Sequence, residues 1–213
     1  MAYMNDKGIL LVVSGFAGSG KGTIMKELVD KYDNYALSVS ATTRAPRAGE
    51  VDGVHYFFKT NEEFEQMIEN GELLEHARYV GNYYGTPKSY VEEQLLKGKD
   101  VILEIDVQGG LNVRRIYPDA MLVFVLPPNV EEIRNRLKKR GTENDEVIRK
   151  RMERGAEEAR IINQYDYLMV NDDLDECVKR LHYTVQSARC AVKRNLDFVE
   201  DINNQFTEFL KGE

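Results

Sequence analysis

Ser14-Gly15-Phe16-Ala17-Gly18-Ser19-Gly20-Lys21-Gly22-Thr23 is the stretch that decides the fold of this chain. The apolar run Ile9–Val13 precedes it, and a segment carrying Ile24, Leu28, Val29 and Tyr32 on one helical face follows it. Strand, glycine-rich loop and helix in that order read as a P-loop. Gly15, Gly18 and Gly20 free the backbone to turn its N–H groups inward around a polyphosphate, and the helix adds the positive end of its dipole. Lys21 follows as a compact charge for the β- and γ-phosphates. The phosphate-binding set so read is Gly15, Ala17, Gly18, Ser19, Gly20, Lys21, Gly22 and Thr23. It implies a protein that handles a nucleoside triphosphate. One departure matters: the usual pattern has Ser or Thr directly after the lysine to hold Mg2+. Here that position is Gly22 and the hydroxyl comes at Thr23, so indirect, water-mediated metal contact is expected.

Composition narrows the class. A chain of 213 residues, 42% hydrophobic and 31% charged, suits one globular domain with a good core. No run of eighteen apolar residues occurs, and Met1–Lys7 lacks the shape of a signal peptide, so neither a membrane partner nor export is expected. Cys177 and Cys190 stand thirteen positions apart without a CxxC pattern, which favours reduced thiols in the cytoplasm. His55, His76 and His182 show no metal-ligand spacing. A net charge of −7 argues against nucleic acid as a partner. Positive charge is nevertheless clustered: residues 134–154 hold nine Lys or Arg against four Asp or Glu, and Arg44 with Arg47 form a smaller group. Such clusters suit a compact anion, although the longer one also reads as a solvated helix face laced with i,i+4 pairs.

Apolar runs at Leu10–Val13, Val101–Ile105, Met121–Leu126 and Tyr167–Val170 read as strands buried on both faces, with helical patterns between them. Ile133 and Leu137 mark a short helix, and Val178, Leu181, Val185 and Val192 a long one. This is the pattern of a parallel sheet in an α/β domain. From about Leu37 to Tyr90 the chain is polar, with turn signals at Ala45-Pro46, Ala48-Gly49, Asp52-Gly53 and Gly81-Asn82, and reads as a small inserted β-rich unit. A third unit, from Asn129 to Gln164, is charged and weakly apolar, as expected of a mobile lid; Thr142-x-x-Asp145 resembles a helix N-cap inside it. The tail carries Val199, Ile202, Phe206, Phe209 and Leu210 at helical spacing; packing on the core is the favoured reading, with an oligomer interface left open.

A P-loop alone does not separate a GTPase, an ATPase and a kinase. Ser38-Val39-Ser40-Ala41-Thr42-Thr43-Arg44-Ala45-Pro46-Arg47-Ala48-Gly49-Glu50 is more discriminating. Two arginines three apart, stiffened by a proline between them, suit a grip on one phosphate, with the phenols of Tyr56 and Tyr84 to complete it. Glu75 and Thr86 suit a base, although Glu75 reads equally as a solvated helix residue. A carboxylate accepts from the two adjacent N–H groups of guanine and a hydroxyl donates to its carbonyl, whereas adenine presents the opposite pattern.

Ser38–Glu50, Gly81–Thr86, Ile105-Asp106-Val107-Gln108-Gly109, Arg140-Gly141-Thr142-Glu143 and Val170-Asn171-Asp172, taken with the P-loop, resemble guanylate kinases. The likeness runs from about Ile9 to Arg189. It implies an α/β fold: a P-loop kinase core with a parallel sheet flanked by helices, plus a small β-rich GMP-binding subdomain and a helical lid. Within a single domain spanning 1–213, the core is 8–37, 95–127 and 165–213, the GMP-binding part 38–94, and the lid 128–164. It implies ATP-dependent phosphorylation of GMP, and of dGMP, with Mg2+ as cofactor. The GMP-phosphate contacts match Arg44, Arg47, Tyr56 and Tyr84. The guanine contacts match Ser40, Glu75, Thr86 and Asp106, with Gly85 beside them. The lid arginines match Arg136, Arg140 and Arg151, and Asn171 matches a residue near adenine. Lys21, Arg44, Arg140 and Arg151 are the expected catalytic charges, with Thr23 and Asp106 as outer partners of the metal. The Gly-Lys-Gly-Thr form occurs in the related adenylate kinases, so activity is expected to survive Gly22. Two other readings are a guanylate-kinase-like phosphopeptide module, which the intact P-loop disfavours, and a kinase for another base, which Glu75 and Thr86 disfavour.

Overall fold

The structure is a computed structural model that describes residues 7–79, 81–139 and 145–211. The opening strand β1 (Leu10–Gly15) leads through the loop into α1 (Lys21–Lys31) and β2 (Tyr35–Leu37). The inserted unit then supplies β3 (Ala41–Thr42), β4 (Phe57–Phe58), α2 (Asn61–Glu69), β5 (Leu73–Tyr79) and β6 (Asn82–Pro87). The chain returns through α3 (Lys88–Leu96), β7 (Asp100–Glu104), α4 (Val107–Ile116) and β8 (Met121–Leu126). The lid helices α5 (Val130–Lys139) and α6 (Asp145–Ala159) follow, then β9 (Tyr167–Val170), α7 (Leu174–Arg189) and α8 (Leu196–Lys211).

Among the described residues, five strands form a parallel sheet in the order β2-β7-β1-β8-β9. Side chains alternate across a strand. Ile9, Leu11 and Val13 therefore face α1 and α7, in one cluster with Ile24, Leu28, Val178 and Leu181. Leu10 and Val12 face the other way, against Val91 and Leu95 of α3 and Val113 of α4. The central strand is thus buried on both faces and its C-terminal end opens onto the phosphate loop. In parallel sheets that end is where ligands bind. Asp100 is fully buried at the opposite end. It accepts from the Ile9 backbone N–H at 2.8 Å, Asn34 at 2.8 Å and Arg189 at 2.6 Å, which satisfies a charge that burial alone would make costly.

A second sheet, in the order β4-β3-β6-β5, forms the inserted unit; β6 pairs antiparallel with both neighbours. Its helix α2 starts with a capping box between Thr60 and Glu63 and buries Phe64, which stacks on Tyr83 with centroids 5.1 Å apart. Gly85 is required by packing: a Cβ there would lie 2.8 Å from the Glu75 carbonyl oxygen.

Three sequence expectations need correction. Val192 does not continue the long helix: α7 ends at Arg189 and Val192 is exposed in a 3-10 turn. The strand β9 buries only Met169; it is the sheet edge, and Tyr167, Leu168 and Val170 are exposed. The tail forms the expected helix, but no residue of α8 is buried, so its apolar face does not pack on the core.

The charged third unit, read from sequence as a lid, is also less polar in practice than its composition suggests. Ile133 and Leu137 of α5 and Ile148 of α6 join Phe16, Val107 and Phe124 in a third cluster. The lid therefore rests on a side chain of the phosphate loop itself. The charges around it are largely local, in i,i+4 pairs such as Arg149–Glu153 and Lys150–Glu146. Arg140 and Thr142 lie outside the described residues.

Candidate active site

The phosphate loop leaves β1 at Gly15, where the backbones of β1 and β8 approach so closely that a Cβ would sit 2.0 Å from the Val125 carbonyl oxygen. At Gly20 the backbone is left-handed (φ 87°), and a Cβ would lie 2.4 Å from Asn171 Nδ2. The loop is braced from outside. Asn171, nearly buried, donates to the Ser19 carbonyl at 2.8 Å. Arg136 Nη2 donates to the Asn171 carbonyl at 3.0 Å and Nη1 to the Ser19 carbonyl at 3.4 Å, while Glu132 holds its Nε at 2.7 Å. Gly18, Gly20, Thr23, Arg136, Asn171 and Asp172 line a cavity of about 310 Å³ on this side. Lys21 Nζ donates to the Gly15 carbonyl at 2.6 Å, so its ammonium lies over the start of the loop.

Gly22 faces the end of β7. A Cβ at this position would lie 3.7 and 3.8 Å from the carboxylate oxygens of Glu104. Glu104 is a candidate that the sequence reading passed over, although an acidic residue closing an apolar strand next to a P-loop strand is a legible signal. Among the described residues no group of three or more His, Cys, Asp or Glu could hold a metal ion unaided. Mg2+ does not ask for one: it is usually held by one or two carboxylates, waters and substrate phosphates. Glu104, beside Gly22, is a carboxylate of that kind.

Asp106 caps α4, accepting from Gly109 N–H at 2.8 Å, and its other oxygen meets Arg154 Nη2 at 3.3 Å. Ser14, the residue before Gly15, donates to the Asp106 carbonyl at 3.3 Å. The N-terminus of α4 therefore joins the phosphate loop to the small sheet, because Gly109 lies under Glu75 as well: a Cβ there would be 3.5 Å from Glu75 Oε2 and 3.3 Å from Asp106 Oδ1. Thr86 and Glu75 sit on neighbouring strands, and Thr86 Oγ1 donates to Glu75 Oε1 at 2.7 Å. Burial holds the Glu75 carboxyl above its ordinary range; the Thr86 hydroxyl opposes the shift and the nearby Asp106 charge adds to it.

The Arg44 side chain and the backbone of Arg47 are held together by Glu50. Its Oε1 accepts from Arg44 Nη2 at 2.8 Å, and its Oε2 accepts from the Arg47 backbone N–H at 2.7 Å. Both side chains of the ion pair are mostly buried, at 15% and 18% exposure. The Arg44 guanidinium, then the Arg47 N–H, hold the Glu50 carboxyl below its usual range. Arg44 also lies over the Tyr56 ring, 5.3 Å from its centroid, and Tyr56 meets Tyr84 edge-on at 6.2 Å. Arg44, Tyr56 and Tyr84 are thus one group, with Arg47 on the same turn. Ser40 stands just before β3, where its carbonyl accepts from Phe57 N–H at 2.9 Å. Arg151 is half-buried on α6, in the lid.

A family model described as guanylate kinase matches residues 7–188. A guanylate kinase of Caldanaerobacter subterraneus subsp. tengcongensis is 48% identical over 202 residues, 95% of this chain and 98% of that protein. One from Halalkalibacterium halodurans is 52% identical over 192 residues, 90% of this chain and 94% of that protein. The crystal structure of guanylate kinase from Anaplasma phagocytophilum matches with a TM-score of 0.75 at 30% identity, over 96% of this chain and 98% of that one.

Proposed function

The chain belongs to the guanylate kinase family and transfers a phosphoryl group from ATP to GMP, giving GDP, and on that premise we propose which residues carry each part of the reaction. The carrying observation is the continuous line Ser14–Asp106–Gly109–Glu75–Thr86, which sets a base-reading pair next to a phosphate loop.

On the acceptor side, Arg44, Arg47, Tyr56 and Tyr84 hold the 5′-phosphate. Glu75 accepts from the two adjacent N–H groups of guanine, with Ser40 and Asp106 at its margins and Gly85 keeping the strands close. The Thr86 hydroxyl has one proton, and without a ligand it is given to Glu75. When the base supplies N–H donors to the carboxylate, that proton is released to the guanine carbonyl oxygen. dGMP is proposed as a second acceptor, since the roles assigned here fall on the base and the phosphate.

On the donor side, the loop from Gly15 to Thr23 and Lys21 cradle ATP phosphates, with Asn171 and Arg136 fixing the loop beside the adenine side of the cavity. Arg151, with Arg140 outside the described residues, serves the transferred group when the lid is closed. A phosphate oxygen of GMP is already anionic at neutral pH, so the site needs orientation and charge rather than a strong base. Glu104, Thr23 and Asp106 would hold Mg2+ through its waters, and the ion would offset the negative charge of the ATP phosphates. Contact of Phe16 with the lid cluster ties loop occupancy to lid position, which favours transfer to GMP over transfer to water.

ATP as donor and two free thiols suit the cytoplasm, where the product GDP enters purine nucleotide metabolism. A coupled ADP-release assay with GMP, dGMP, AMP, CMP and UMP tests the assignment. Stimulation by GMP and dGMP alone is expected; equal rates with AMP would overturn the roles given to Glu75 and Thr86.

A further inference from the structure

We propose that Arg154 of α6 is a positioning residue for the transfer step, a clasp that fixes α6 against the core by holding one carboxylate of each. The inference rests on the reading of α5 and α6 as a lid that carries Arg151 to the transferred group. Arg154 is distinct from Arg136, Arg140 and Arg151, the arginines to which the family likeness gives lid roles.

Arg154 Nε donates to Glu158 Oε1 at 3.1 Å, one turn along the same helix. Its Nη2 donates to Asp106 Oδ2 at 3.3 Å, at the N-cap of α4 in the core. A guanidinium is a rigid planar fork, suited to two acceptors at once. The two acceptors are themselves constrained. Asp106 Oδ1 is committed to the Gly109 N–H, which fixes the direction of Oδ2. The Glu158 side chain is only 15% exposed, whereas that of Arg154 is 63% exposed. Arg151, Gly155 and Glu158 fall on one face of α6 by their spacing of three and four. A Cβ at Gly155 would lie 3.6 Å from Phe16 Cδ1, so this face meets the phosphate loop next to the clasp. Neighbouring residues of α6 thus touch the core in two ways, Gly155 by apolar contact and Arg154 by charge.

An exposed ion pair adds little to stability. The consequence of Arg154 lies in the charges that it separates. Without it, the carboxylates of Glu158 and Asp106 stand on either side of the gap with no cation between them, and Glu157 adds a further negative charge nearby. Like charges repel, most strongly where one of them is shielded from water. Only the apolar cluster that includes Ile148 and Met152 would then hold the helix down. Arg151 lies one turn before Arg154 on the same rigid helix and moves with it, and a small misplacement of a group that serves the reacting phosphate is costly in rate. Asp106 also adjoins Glu75 across Gly109, so the clasp ties α6 to the residues assigned to the guanine base.

Steady-state kinetics and melting temperatures of Arg154→Ala, Glu158→Gln and the double variant test this. Arg154→Ala is expected to lower kcat about three- to tenfold, between the worth of an exposed ion pair and the cost of a misplaced catalytic group, with a melting temperature close to wild type. Glu158→Gln alone should cost less than about twofold, since Arg154 keeps Asp106. Added to Arg154→Ala, it should recover most of the loss, because one of the two facing charges is gone. The deficit of Arg154→Ala should also narrow as salt rises from about 0.05 to 0.5 M. Wild-type kcat in Arg154→Ala overturns the proposal. So does a loss that neither Glu158→Gln nor salt relieves, which would mark the arginine as merely structural. Arg151→Ala, measured in parallel, tests the underlying reading separately: unchanged kcat there removes Arg151 from the transfer step, while recovery in the double variant still decides for the clasp.

Discussion

Thr86 donates its hydroxyl proton to Glu75 across neighbouring strands of the small sheet, at 2.7 Å. The two groups satisfy each other while no base is present, which lets a carboxylate persist in a largely buried place. The same pair presents a carboxylate acceptor beside a hydroxyl whose proton a competing ligand could redirect.

Glu75→Gln tests that pairing. The amide loses one acceptor and gains a donor, so it is expected to lower kcat/KM for GMP by roughly ten- to a hundredfold, the worth of one or two hydrogen bonds to a charged group, and to narrow the preference over AMP. Folding is not expected to suffer, because the buried charge itself is removed. Steady-state kinetics with both nucleotides, together with the melting temperature at neutral pH, check this; equal proportional losses with GMP and AMP would refute it.

Acidification separates affinity from stability at the same residue. Burial raises the Glu75 pKa, so the carboxylate that accepts from guanine is lost at a higher pH than for an ordinary glutamate, and KM for GMP is expected to rise as pH falls through that value. Folding goes the other way. A raised folded pKa means that the folded state binds the proton more tightly, so this residue favours folding fully below its unfolded value of 4.5, and that contribution is lost as pH rises through the folded pKa. KM profiles between about pH 5 and 8 for wild type and Glu75→Gln measure it; the acceptor phosphate titrates near pH 6 in both and cancels. Parallel profiles would rule Glu75 out as the titrating group.

Glu50 is expected to matter without touching substrate. It holds the guanidinium of Arg44 and the backbone of Arg47 with its two oxygens. Glu50→Ala should raise KM for GMP about tenfold, in keeping with the loss of a charge-assisted hydrogen bond, and leave KM for ATP unchanged. Guanosine affinity should not move, because guanosine lacks the phosphate that the arginines grip. Glu50→Gln should recover part of the loss. A matching drop in guanosine binding would mean that the whole subdomain had been disturbed instead.

Gly22→Ser restores the hydroxyl that the usual loop carries. A Cβ there makes ordinary contacts with Glu104, so the fold should be kept. The new oxygen should lower the Mg2+ concentration for half-maximal rate several-fold, since it adds a hard ligand beside a carboxylate. Glu104→Gln should raise that concentration. A Mg2+ titration of the rate at fixed ATP reads both, and no shift in either variant would remove Glu104 from the metal site.

Local pattern alone determined much of this protein. Apolar strands that alternate with helices, and a glycine loop ending in Lys21, suffice for a parallel core with a phosphate site, because backbone geometry and burial act over a few residues. The types and spacing of Arg44, Arg47, Glu75 and Thr86 suggest an acceptor set, and of these the fold joins Glu75 to Thr86 by a hydrogen bond. Tertiary structure decided the rest. That Glu75 and Thr86 share a hydrogen bond depends on the pairing of β5 with β6. That Gly22 faces Glu104, or that Phe16 belongs to the lid cluster, depends on strands and helices far apart in sequence. Helical spacing predicts α8 and its apolar stripe, but only the packed molecule leaves that stripe exposed. Periodicity states which residues share a face, and contact between elements states what that face meets.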